Sequence, residues 1–139
     1  MKNYMAYLLL LICSLIFISC AEESNPIDNT PDWSNQIKGK WAGNGFYGAS
    51  DTIKILMIVD AVKNEISGTA EVSYNGETIV NYVVEGKIND QLVTLTFKNI
   101  KGNMDFSGSF RATNPSRIEG TMLNTRFQTM SVTFNRRWT

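Results

Sequence analysis

From residue 37 onward, apolar and polar positions alternate with period two, and the alternation is interrupted only at short turns. Ile53, Ile55, Met57, Val59 and Ala61 share one face; Ile66, Gly68, Ala70, Val72 and Tyr74 share the next. Val93, Leu95 and Phe97 follow, then Met104, Phe106, Gly108 and Phe110, and last Met130, Val132 and Phe134. Ser, Thr and charged residues fill the gaps, so each segment reads as a half-buried antiparallel strand. Turn signals at Gly48-Ala49-Ser50, Lys63-Asn64, Asn75-Gly76, Asn89-Asp90, Lys101-Gly102, Asn114-Pro115-Ser116 and Asn124-Thr125-Arg126 divide the region into eight strands. Asn75-Gly76 is the sharpest of these, because both central residues of a type I′ turn need positive φ. All seven connections are short, which joins neighbours in a meander and leaves no crossover for a Greek key. An eight-stranded meander with one apolar face hides both edges by closing on itself. The expected fold is therefore all-β, an up-and-down antiparallel barrel over residues 36–139.

Two features sit inside that pattern. Gly68, Gly86, Gly108 and Gly120 recur in an apolar-polar-Gly-polar frame, as sharply coiled strands of a small barrel require. The second strand carries Leu56 and Ile58 on its other side, and Val80, Tyr82 and Val84 continue this apolar set on strand four. Together they define a patch of the kind that marks an interface. The phase of strand four stays open, because one slip of register exchanges its faces. In the second phasing Tyr82 and Val84 turn inward, and Asn81 and Glu85 point to water.

The first nineteen residues obey a different rule. Lys2 precedes an apolar run from Leu8 to Ile18, too short to span a hydrocarbon core of about 30 Å. Residues 1–19 read as a signal peptide. With Cys20 directly after Phe17-Ile18-Ser19, the segment resembles a bacterial lipoprotein signal, although Phe17 stands where that family prefers Leu. The resemblance implies cleavage before Cys20, lipid on its sulfur and anchoring in an outer membrane. Residues 20–35 carry Glu22, Glu23, Asp28 and Asp32 without a base, and contain Pro26 and Pro31. They read as an acidic flexible linker with a reach of roughly 50 Å at about 3.3 Å per residue. The Glu22-Glu23 pair is similar to the signal that sends some Gram-negative lipoproteins to the cell surface.

Charge and chemistry narrow the function. The chain of 139 residues balances 13 bases against 13 acids, and the twelve bases and nine acids from Gln36 onward are scattered. No nucleic-acid surface follows from so weak a balance. Histidine is absent, and the two cysteines lie in the signal and at the lipid position. His-based nucleophilic catalysis, His-ligated zinc and disulfides are thereby excluded. The acids are spread singly beside turns rather than paired in a cleft. A non-catalytic protein without metal or cofactor is expected. Asp51-Thr52-Ile53 also resembles an O-glycosylation acceptor.

Gly39-Lys40-Trp41 opens the first strand, and Arg136-Arg137-Trp138 ends the last. This pairing resembles the calycin superfamily of lipocalins, fatty-acid-binding proteins and avidins. The resemblance implies a lipocalin-like barrel closed at one end by Gly39, Trp41 and Arg136, with the guanidinium over the indole. Arg136 is in phase with Phe134 and is expected to point inward. The domain lacks the long lid loop and C-terminal helix of lipocalins, and the middle-strand tryptophans that line the avidin site. Met57, Val72, Tyr74, Leu95, Phe97, Phe106, Phe110, Met122 and Phe134 are the candidate interior residues. They form either a packed core or a pocket for one small hydrophobic ligand, opened at one end by Gly43, Gly45 and Gly48. Two functions follow: a membrane-anchored binder of a small hydrophobic ligand, or a solid barrel that acts on a protein partner through its loops and outer face.

Overall fold

The computed structural model describes residues 33–47, 51–124 and 128–137. The expected signal peptide, Cys20 and the linker through residue 32 lie outside the described residues, as do the Gly48-Ala49-Ser50 turn, Arg126 and Trp138. A one-turn helix α1 (Ser34–Ile37) leads into eight strands. These are β1 (Gly39–Tyr47), β2 (Asp51–Val62), β3 (Glu65–Tyr74), β4 (Glu77–Asn89), β5 (Leu92–Lys98), β6 (Met104–Arg111), β7 (Asn114–Leu123) and β8 (Thr129–Arg137). Each pairs antiparallel with its successor, and β1 pairs with β8 to close the barrel. The up-and-down topology is the one that the short turns require.

Lys63-Asn64 and Asn75-Gly76 both place their central residues at positive φ, the twist-matching hairpin geometry. One turn falls elsewhere than the sequence suggests. Asn114-Pro115-Ser116 opens β7, and the chain reverses at Ala112-Thr113 behind a register shift at Phe110 and Arg111. Pro115 is tolerated there because β7 begins pairing with β8 only at Arg117, so its missing N–H costs the ladder nothing.

The inward residues of the strands make one cluster from Ile37 to Phe134. The barrel thus carries its hydrophobic core within itself. Phe97 stacks on Phe134 with centroids 6.5 Å apart, and Phe106 meets Phe134 edge-on at 5.1 Å. Such edge and offset contacts add about 0.5–1.5 kcal/mol to burial. The wall beside them is built to match. Gly108 and Gly120 face each other across β6 and β7. A Cβ on Gly120 would lie 2.3 Å from the Ser107 carbonyl oxygen, so only glycine fits.

Strand four adopts the inward phase for Tyr82, Val84 and Ile88, all buried. Asn81 and Glu85 are exposed. The expected outer patch is corrected accordingly: Tyr82, Val84 and half-buried Val80, which packs on the core, leave it, and Val83 joins Leu56 and Ile58 on the outside.

Candidate functional site: a closed end and a notched mouth

At one end the chain enters through α1, and a network fixes it there. The indole of Trp41 is fully buried, donates its N–H to the Ile37 carbonyl at 2.7 Å, and meets Phe110 edge-on at 6.0 Å. Arg136 pairs with Trp41 across β1 and β8, and its guanidinium carbon sits 4.7 Å from the indole centroid. The guanidinium donates to the Lys38 carbonyl at 2.8 Å and to the Gln36 carbonyl. Burial draws its pKa below the ordinary arginine value, yet guanidinium stays charged, and the two carbonyls and the indole face compensate that charge. Gly39 holds φ at +123°, which lets the backbone turn from α1 into β1 beneath Arg136. Asn64 completes the closure: its side chain accepts from Trp33 N–H at 2.8 Å, and its own N–H donates to Ser34 Oγ at 3.0 Å.

The opposite end is built differently. β4 has thirteen residues and β5 seven, and their pairing covers only Val83–Asn89 of β4. The first six residues of β4 therefore run past the end of β5 and leave a notch in the wall. Asn99 partly fills it by donating its side-chain N–H to the Asn81 carbonyl at 2.7 Å. Inside the notch Tyr74 reaches from β3 to β6 and donates its hydroxyl to Met104 Sδ at 3.5 Å, a weak bond to a weak acceptor. Val80 is half-buried beside it, and Tyr82 meets Phe97 edge-on below. Tyr74 lies at the rim as the last residue of β3, where the β3–β4 register shifts by one residue on the β4 side.

Two expectations are thereby corrected. Tyr74, expected among the interior residues, is 36% exposed, whereas Met57, Val72, Leu95, Phe97, Phe106, Phe110, Met122 and Phe134 are all at most 5% exposed. Gly43 and Gly45 do not open the barrel either. A Cβ on Gly43 would lie 2.4 Å from the Phe134 ring, and one on Gly45 would lie 2.7 Å from an Ile53 methyl. Neighbouring side chains occupy the room that these glycines leave, so the barrel's centre is packed. Val80, Met104 and Asn99 were not singled out for the site from the sequence. Their signal is the polar run Lys98-Asn99-Ile100-Lys101-Gly102-Asn103, which stops β5 early while β4 continues.

The outer surface has two faces of contrasting chemistry. A recess over β4 to β7 has its charges engaged: Lys87 pairs with Glu65, Lys98 with Glu85, and Asp105 accepts from Thr96. A groove of about 670 Å³ over β1 to β4 is lined by Leu56, Ile58, Thr69 and Val83, with Lys40 and Arg137 at its side.

No protein-family model matches the chain, and no curated protein matches it. Solved structures do. A de novo designed fluorescence-activating β-barrel aligns with a TM-score of 0.63 at 12% identity, over 77% of this chain and 99% of that one. A redesigned β-barrel, mFAP1, bound to DFHBI aligns with a TM-score of 0.62 at 9% identity, over 74% of this chain and 97% of that one. A further redesigned barrel, mFAP0, also bound to DFHBI, gives 0.56 at 12% identity, over 73% of this chain and 99% of that one. At these identities the likeness is one of fold, and the chain is a closed eight-stranded antiparallel β-barrel similar to these.

Proposed function

We propose that this chain is an outer-membrane lipoprotein, anchored by lipid on Cys20, whose non-catalytic barrel binds a small hydrophobic ligand at the notched mouth. One observation carries the binding site: a large aromatic side chain, Tyr74, lies half-out at the rim and is held across the notch by a hydroxyl–sulfur bond. Swinging Tyr74 aside would uncover the Met104 thioether, an adaptable apolar surface suited to varied guests. Barrels of similar fold bind DFHBI, which supports a small aromatic or hydrophobic ligand. The sequence signal before Cys20 supports the anchor, and Glu22-Glu23 supports display at the cell surface. The lack of histidine and of paired carboxylates supports a binder rather than an enzyme.

Two experiments test the two parts. Changing Cys20→Ser should move the protein from the membrane fraction to the soluble fraction and abolish incorporation of labelled palmitate. Unchanged fractionation would reject the anchor. Native mass spectrometry of the chain from Ala21, purified without denaturant and mixed with a lipid extract, should show an adduct that disappears on unfolding and weakens in Tyr74→Ala. A clean unbound mass under both conditions would reject the ligand.

A further inference from the structure

The outer groove over β1 to β4 holds exposed aliphatic side chains and unengaged cations together on the strands themselves, in one recess. Leu56, Ile58 and Val83 are 45%, 56% and 52% exposed. They form the groove's apolar strip, with small Thr69 between Ile58 and Val83 on the intervening strand. Lys40 lies opposite Ile58 across β1 and β2, and opposite Arg137 across β1 and β8. A second recess shares Leu56 and Arg137 with the first and carries the groove on to Lys54 and Ile79. Among the described residues, Lys40, Lys54 and Arg137 have no ion-pair partner, and the acid lining the groove is Glu71. Lys38, Lys87, Arg111 and Arg117 elsewhere, and Lys98 at the groove's own edge, are matched to acids, while Lys63 and Lys101 lie at turns away from the groove.

The groove's spacing is that of an extended chain. Lys54 is four positions from Ile58 along β2, about 13 Å at roughly 3.3 Å per residue. In a strand, residues two apart share a face, so acids four apart would bracket an aliphatic residue on that same face. We propose that this groove docks an extended segment of a partner protein carrying acid, aliphatic and acid side chains at alternate positions. One acid would meet Lys40 and Arg137, the aliphatic residue would cover Leu56 and Ile58, and the second acid would meet Lys54. The recessed floor favours an inserted chain over a flat lipid surface, and the cations select its charge. This goes beyond ligand binding at the mouth: Asn81, Tyr82 and Asn99 border both sites, but the residues that would meet the segment, Lys40, Lys54, Leu56, Ile58 and Arg137, are not part of the mouth.

Panning a phage-displayed random twelve-residue library against the domain from Ala21 tests it. The expected result is enrichment of peptides with acids four apart and an aliphatic residue midway. The enriched synthetic peptide should lose at least tenfold in affinity to Leu56→Asp and to Lys40→Glu/Arg137→Glu, while Tyr74→Ala leaves it unchanged. Both variants change exposed side chains, and an unchanged thermal midpoint would show that they fold. Enrichment of basic peptides, or of peptides insensitive to both variants, would overturn the proposal. So would a failure to enrich any peptide, or binding to phosphatidylglycerol vesicles that these variants abolish while peptide affinity is unaffected.

Discussion

At the closed end an indole is fully buried, hydrogen-bonded to Ile37 and covered by a guanidinium that itself holds two carbonyls. At the mouth a phenol is one-third exposed and tied across the notch to a sulfur. Both are large aromatic side chains on inward-phased positions of the same barrel. They differ in how firmly their surroundings fix them. Polar groups that are buried and satisfied on every side are costly to disturb, whereas a rim residue already one-third exposed has less burial to lose when it moves. Stability is thus concentrated at the end where the chain enters the fold, and adaptability at the end where β5 stops short.

Removing the anchor residues in turn would sharpen or break that comparison. Trp41→Ala has the largest expected effect, a loss of about 3–5 kcal/mol of unfolding free energy, read by urea denaturation. Arg136→Ala should cost about 1.5–3 kcal/mol, because the Gln36 and Lys38 carbonyls lose a charged donor. Tyr74→Ala should cost under about 1 kcal/mol while changing ligand occupancy at the mouth. A loss as large as that of Trp41→Ala would break the comparison outright. The smallest effect belongs to Asp60. The Ala61 N–H, and then Lys38, hold its carboxyl below the usual aspartate pKa. With the folded pKa depressed, its contribution is present above the unfolded value, near 4, and is lost as pH falls through the folded one. Asp60→Asn should therefore lower the thermal midpoint slightly at pH 7 and meet the parent protein's value below about pH 4, so that the acid decline is flatter.

Much of the closed end was legible in the residues. Gly39, Trp41 and Arg136 lie on the first and last strands, and the phase of Arg136 with Phe134 turns it inward. The eight strands were legible too, because half-buried sheets impose period two. What period two does not supply is the sign of a face. Strand four is apolar on both sides, and pairing of Tyr82 with Ala70 and of Val84 with Phe97 decides which side is inside. The mouth escaped for another reason. Tyr74 has the inward phase, but it is the last residue of β3 and stands at the rim, 36% exposed, and hydrophobic spacing does not tell a rim position from an interior one. The notch likewise arises from the difference in length between β4 and β5, which turn residues locate only coarsely. Pro115 shows the same limit: its turn signal is real, yet the hairpin closes two residues earlier.

Amide hydrogen exchange of the domain from Ala21, read residue by residue under native conditions, tests the contrast between the two ends most directly. The amides of Trp41, Ala42 and Asn135 should exchange only with global unfolding, and those of Ile79 and Val80 at least a hundredfold faster through local opening. Equal protection at both ends, with one common opening free energy, would contradict it.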